Sequence, residues 1–294
     1  MSIKRIALIG LGELGGILAS DLVARTELTA FDLKIRDDGS APARCASKLQ
    51  LYVGETAAAA ARTADLVISA VTAAQTLAAA RSVTGGIGKG AVFLDLNSAS
   101  PGVKREAAQA IEAAGGRYVE AAVMSPFPPK RMATPILLGG PHAEAFLPEA
   151  RALGFLGAEF FSADIGKASA AKMCRSVMVK GIEALLSESL LAARSYGVED
   201  TVLKSLGDLF PGPDWTKLSH YMISRTLEHG TRRAEEMREV ARTVAEAGLE
   251  PHMSSAAAER QAWAPQFASA LSEQDLADML DAMREMMNEQ GAAA

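Results

Sequence analysis

The sequence predicts a doubly wound α/β domain over residues 1–163 and an all-α domain over residues 164–294. Before Asp164, short apolar runs of β type alternate with alanine-rich helical stretches, the pattern of a parallel sheet covered on both faces. The first run leads directly into Gly10-x-Gly12-x-x-Gly15. After Asp164 the strand signals stop and the chain reads as helices. A chain of 294 residues suits one large or two modest domains and can bury a sizeable core.

The strand candidates are, in order, RIALIG, ELTAFD, LQLYV, LVISAV, AVFLDL, RYVEAAV, TPILLGG and AEFFS. Helical segments such as Leu14–Arg25, Thr56–Thr63 and Gly102–Ala114 lie between them. In the second domain a long helix is expected over Asp164–Arg194, and breaks near FPGPDW, EHGT, GLEPHM and WAPQF. The methionines there read as core or subunit contact.

The glycine loop has a strand before it and a helix start after it, which turns a weak pattern into a dinucleotide-binding signal. Gly10 permits the tight turn, Gly12 lets the backbone approach a pyrophosphate, and Gly15 lets helix and strand pack closely. The helix N-terminus offers free amides and a positive dipole end to phosphates. Asp32 ends the second strand near the ~20-residue offset of an acid that accepts from ribose hydroxyls. Its charge repels a 2′-phosphate and favours NAD, while Lys34 and Arg36 leave NADP open. Glu13, Leu14, Val71, Thr72 and Asn97 complete the expected cofactor contacts.

In FLDLNSASPG a strand ends and a helix begins, with Ser100 as N-cap and Pro101 as its first residue. Asn97 and Ser98 then sit at the carboxyl edge of the sheet, where open α/β sheets bind ligands. Both suit hydrogen bonding to a polyhydroxy or carboxylate substrate; an ordinary Asx-type loop is the alternative.

With these motifs in view, the sequence resembles the β-hydroxyacid dehydrogenase family, related to 6-phosphogluconate dehydrogenase, over most of its length. The family's glycine motif is matched by Gly10, Gly12 and Gly15, and its D-x-S-T-x-x-P segment by Asp95, Asn97, Ser98 and Pro101. Its substrate segment corresponds to Glu120–Pro126, with Met124 and Ser125 in altered positions. Its lysine motif corresponds to Gly166, Ala168, Lys172 and Ser176, with serine where the family has asparagine. The resemblance implies a Rossmann-type domain and hydride transfer between nicotinamide and a small 3-hydroxy acid or its oxo acid. It implies Lys172 as general acid–base, Ser176 as its companion, and substrate contacts from Asn97, Ser98, Met124, Ser125, Lys172 and Ser176. Ser176 lies four residues after Lys172, on the same helical face. The resemblance also implies a homodimer or higher homo-oligomer. An imine reductase of the same architecture is an alternative that Lys172 argues against, and a non-catalytic dinucleotide-binding sensor is another.

One feature stands apart from the resemblance. A break at Gly230 with Thr231 as N-cap would put Arg232 and Arg233 in a first helical turn, against the macrodipole. An anionic substrate group bound by His229, Arg232 or Arg233 would resolve that misfit; pairing with Glu235 and Glu236 would equally do so.

The net charge of −5 argues against a nucleic-acid or anionic-membrane partner. No run approaches the eighteen apolar residues of a membrane span. Cys45 and Cys174 stand in no metal-ligand spacing, so no metal site and a reduced, cytoplasmic setting are expected.

Overall fold

The structure, a computed structural model, describes residues 3–292. The chain divides into two compact units, Met1–Met173 and Cys174–Ala294. The division falls inside a helix, later than the change in composition at residue 164.

The first unit contains β1 (Arg5–Ile9), α1 (Glu13–Leu22), β2 (Glu27–Phe31), α2 (Ala41–Lys48), β3 (Tyr52–Val53), α3 (Ala57–Ala61), β4 (Leu66–Ser69) and α4 (Thr76–Val83). These are followed by β5 (Val92–Asp95), α5 (Pro101–Ala113), β6 (Arg117–Val123), α6 (Phe127–Lys130), β7 (Ile136–Gly139), α7 (Ala143–Leu153) and β8 (Ala158–Ser162). The strands form one sheet in the order β3-β2-β1-β4-β5-β6-β7-β8. Successive residues of a strand face opposite sides. Ile6 and Leu8 pack with Leu18 and Leu22 of α1 and Phe146 and Leu153 of α7. Ala7 and Ile9 pack with the alanine-rich faces of α3, α4 and α5 on the other side. Both sides being buried explains why the strands read as continuous apolar runs.

Local chemistry sets the helix starts. Ser100 Oγ accepts from Val103 N at 3.4 Å with Pro101 as the first helical residue, and Thr56 caps α3 by accepting from Ala59 N at 3.0 Å.

Two strand expectations are corrected. The sheet is not wholly parallel: β6 and β7 pair antiparallel. Between Val123 and Ile136 the chain has only the four-residue α6 and a short 3-10 turn, no helix able to carry it back along the sheet. LQLYV yields only Tyr52 and Val53, because Leu49 closes α2 and Gln50 takes a positive φ of 53°.

α8 (Lys167–Tyr196) begins in the first unit and continues into the second, which adds α9 (Glu199–Leu209), α10 (Trp215–Glu246), α11 (His252–Trp263) and α12 (Leu276–Ala292). Its core joins Leu186 and Leu190 of α8 to Ile223 and Leu227 of α10, Phe267, and Met279 and Met283 of α12. No helix among the described residues is long and apolar enough to cross a membrane.

The break expected at Gly230 does not exist: α10 runs unbroken from Trp215 to Glu246. Gly230 is glycine for a different reason. A Cβ there would stand 2.3 Å from Gln261 O and 2.8 Å from Pro265, so the residue sets how closely α10 approaches the chain around α11. Gly230→Ala is therefore expected to lower stability by about 1–3 kcal/mol in urea unfolding, through overpacking. A stability gain, the usual result of Gly→Ala in an unconstrained helix, would contradict this packing role.

Candidate active site

The predicted cofactor residues converge at the carboxyl ends of β1, β2, β4 and β5. Gly10 has a φ of +94°, and a Cβ on it would lie 2.4 Å from Ala70 O. A Cβ on Gly15 would lie 2.0 Å from Gly10 O, so α1 reaches its strand only with glycine there. Gly12 differs: among the described residues, apart from its chain neighbours and its own helix, no heavy atom lies within 4 Å of where its Cβ would stand. It is the N-cap of α1 and, as glycine, brings no side-chain cap to the first-turn amides of Glu13 and Leu14. Gly12 thus borders open space at a helix N-terminus, which is the geometry a pyrophosphate needs. Asp32 accepts from Leu11 N and from Lys34 N, each at 2.9 Å, which fixes its carboxylate beside the loop. The residues present fit a nicotinamide dinucleotide.

One strand further along the sheet, Ser69, Asp95 and Glu120 stand in register on β4, β5 and β6 and share a face. All three are fully buried. Asp95 pairs with Lys104 Nζ at 2.9 Å and accepts from Tyr118 OH at 2.7 Å and from Asn97 N at 2.9 Å. Burial and the Asp95 charge push the Tyr118 phenol well above its usual range, so it stays a proton donor. Asn97 uses its side chain internally: Oδ1 accepts from Val71 N at 2.7 Å and Nδ2 donates to Ser69 Oγ at 2.9 Å. Its amide therefore ties the loop after β5 to the loop after β4, the segment holding Val71 and the exposed Thr72.

Ser98 follows on that braced loop. Its Oγ accepts from Lys172 Nζ at 2.5 Å. Lys172 is half-buried on the second turn of α8. The start of α8 is held by Glu120, which accepts from Gly166 N at 2.6 Å and Ser169 N at 2.5 Å. Ser176 is buried one turn beyond Lys172 along the same helix. Met124 packs with Ala122, Leu137 and Ala168, and its amide donates to Pro135 O at 2.9 Å. The Ser125 hydroxyl is buried with no hydrogen-bond partner among the described residues.

Sequence reasoning missed Lys104, Tyr118 and the capping by Glu120. A charged residue inside the apolar run RYVEAAV was the available signal, because a strand buried on both faces admits an acid only with a partner.

The basis for an anion site at His229, Arg232 and Arg233 is corrected. These residues lie in the middle of α10, not in a first turn, so no macrodipole misfit exists. Arg232 pairs with Glu236 at 2.8 Å and Arg233 forms a buried ion pair with Glu183, to which Gln261 Nε2 also donates at 3.1 Å. Glu236 also accepts from Lys180, so the arginines find Glu236 and Glu183 rather than Glu235. His229 lies 3.2 Å from Glu228; burial and Arg225 hold its imidazole below the usual range. A cleft of about 680 Å³, lined by Arg5, Arg62, Lys89 and Arg117, lies at the strand N-termini, the edge opposite the glycine loop. It is remote from the groups described above, and ligands in open α/β sheets bind at the other edge.

Comparison with known proteins agrees with this geometry. Residues 5–162, more than half the chain, match the NAD binding domain of 6-phosphogluconate dehydrogenase. Residues 193–264 match a domain of unknown function (DUF1932). The structure of a conserved hypothetical protein from Sinorhizobium meliloti is 38% identical, with a TM-score of 0.74 over 96% of this chain and 97% of that one. A second conserved protein of unknown function, whose structure is described as similar to 3-hydroxyacid dehydrogenases, is 31% identical, with a TM-score of 0.68 over 88% of this chain and 95% of its own. The mitochondrial 3-hydroxyisobutyrate dehydrogenase of Drosophila melanogaster is 27% identical over 218 residues, 72% of this chain and 65% of that protein. With its open glycine loop and these relatives, the chain belongs to the family of the 6-phosphogluconate dehydrogenase NAD-binding domain, resembles the 3-hydroxyacid dehydrogenases, and takes NAD(P) as cofactor.

Proposed function

We propose that the protein is an NAD-dependent oxidoreductase acting on a small 3-hydroxy acid or its oxo acid, with Lys172 as the general acid–base. The observation that carries this reading is the hydrogen bond between Lys172 Nζ and Ser98 at the carboxyl edge of the sheet. It holds a proton-transfer group at the edge where the glycine loop also opens. The 3-hydroxyisobutyrate dehydrogenase relative supports the substrate class.

Bound nicotinamide supplies the hydride acceptor or donor. In this reading, the amides of Gly12, Glu13 and Leu14 receive the pyrophosphate, and Asp32 accepts from the ribose hydroxyls. Because Asp32 is fixed by two backbone amides, a 2′-phosphate would meet its charge, which favours NAD. In oxidation, neutral Lys172 takes the proton of the substrate hydroxyl; in reduction, its ammonium returns one to the carbonyl oxygen. Ser98 holds Nζ in place, and Ser125, whose hydroxyl is buried with no hydrogen-bond partner among the described residues, offers it to the substrate carboxylate.

A panel of hydroxy acids assayed with NAD and NADP tests the reading: turnover is expected with small 3-hydroxy acids, and cofactor binding without turnover of any of them would overturn it. Lys172→Ala is expected to lower kcat by about 10²–10⁴-fold, the usual worth of general acid–base catalysis, with the NAD dissociation constant unchanged. Unaltered turnover would remove Lys172 from the mechanism. Gly12→Ala is expected to keep the fold, with at most the small loss that alanine brings at an N-cap, because its Cβ meets nothing outside its own helix and chain neighbours. It should weaken NAD binding about tenfold or more, about 1.4 kcal/mol, read by titration calorimetry. Asp32→Ser is expected to raise the ratio of NADP to NAD kcat/KM by about tenfold; an unchanged ratio would show that Asp32 does not set the cofactor preference.

A further inference from the structure

We propose that Glu120 is a positioning residue that sets the reach of Lys172, an inference that rests on Lys172 being the acid–base. An isolated carboxylate buried between a strand and a helix is strongly unfavourable. Glu120 is fully buried, and its two oxygens take up the amides of Gly166 and Ser169. Those amides belong to the start of α8, where backbone donors have no helical partner and the dipole end is positive. Charge and hydrogen bonding are thus satisfied together.

The surrounding residues are shaped for this. Gly139 on β7 stands opposite Glu120 in the sheet, and a Cβ there would lie 2.9 Å from Glu120 Oε2, so glycine leaves the carboxylate its room. Gly166 has a φ of +98°, and a Cβ there would meet Arg105 at 3.0 Å and Pro101 at 3.1 Å. Glycine lets the chain turn into α8 with its amide aimed at Glu120. Ser169 lies three residues before Lys172, so anchoring its amide fixes the turn that carries the lysine. The ammonium is therefore held at both ends of its side chain, by Glu120 through the helix and by Ser98 at Nζ. Removing the helix anchor leaves Ser98 to hold a lysine on a fraying turn.

The test uses the full chain with Glu120→Gln, which drops the charge and one acceptor, and Glu120→Asp, which keeps the charge but is one methylene short. One readout needs no substrate: competitive acylation of lysines by acetic anhydride, resolved by mass spectrometry, with exposed Lys34 as internal reference. In Glu120→Gln the acylation of Lys172 is expected to rise about fivefold or more relative to Lys34, the change in opening that a lost cap produces; Glu120→Asp should fall between. The second readout is turnover: kcat should drop about 100-fold with KM for NAD unchanged, as for a small misplacement of a catalytic group. Combined with Lys172→Ala, Glu120→Gln should cause no further loss. Folded variants whose Lys172 is acylated as in the wild type would overturn the proposal, as would failure of both variants to fold, which would make Glu120 a folding residue. Persistent turnover in Lys172→Ala alone would instead sink the acid–base reading, and the acylation result would still report on Glu120.

Discussion

Two carboxylates, Asp95 and Glu120, lie side by side in register on neighbouring parallel strands, both fully buried. Each charge in such a place needs its own compensation. Asp95 takes a buried lysine and a tyrosine hydroxyl, and Glu120 takes the amide end of a helix. The carboxyl edge of the sheet in the first unit depends on these two solutions. Through Asn97, the first ties together the loops after β4 and β5 and presents Ser98; the second fixes the start of α8 and presents Lys172.

The glycine loop follows the same logic of removing side chains where backbone must go. Gly10 and Gly15 are filled by protein on the side where a Cβ would stand, whereas Gly12 is not. Gly10 makes room for Ala70 and Val71 after β4, Gly15 lets α1 close on Gly10, and Gly12 leaves the N-terminus of α1 open.

Much of this was legible in the sequence because it is local. The strand runs other than LQLYV, the Ser100–Pro101 helix start and the glycine loop each follow from a few adjacent residues, and each appears at its expected place. What was not legible depends on pairing between distant segments. Nothing near Glu120 announces that Gly166 and Ser169 will lie over it. Gly230 read as a helix break because glycine is a poor helix former; its reason is the close approach of Gln261 O and Pro265. With that break removed, Arg232 and Arg233 became ordinary mid-helix cations paired with Glu236 and Glu183. The antiparallel turn from β6 to β7 likewise follows from the absence of a long intervening helix, a matter of what the chain between them can reach.

In the proposed function, Ser98 and Lys172 act at the cofactor edge of the sheet, where Lys172 Nζ meets the hydroxyl that loses or gains a proton. The most direct measurement is a crystal structure of the ternary complex with NADH and a small 3-hydroxy acid. The substrate hydroxyl is expected within hydrogen-bond reach of Lys172 Nζ, about 2.6–3.2 Å. A substrate bound beside the nicotinamide with its hydroxyl out of reach of Lys172, and no bridging water, would contradict the claim.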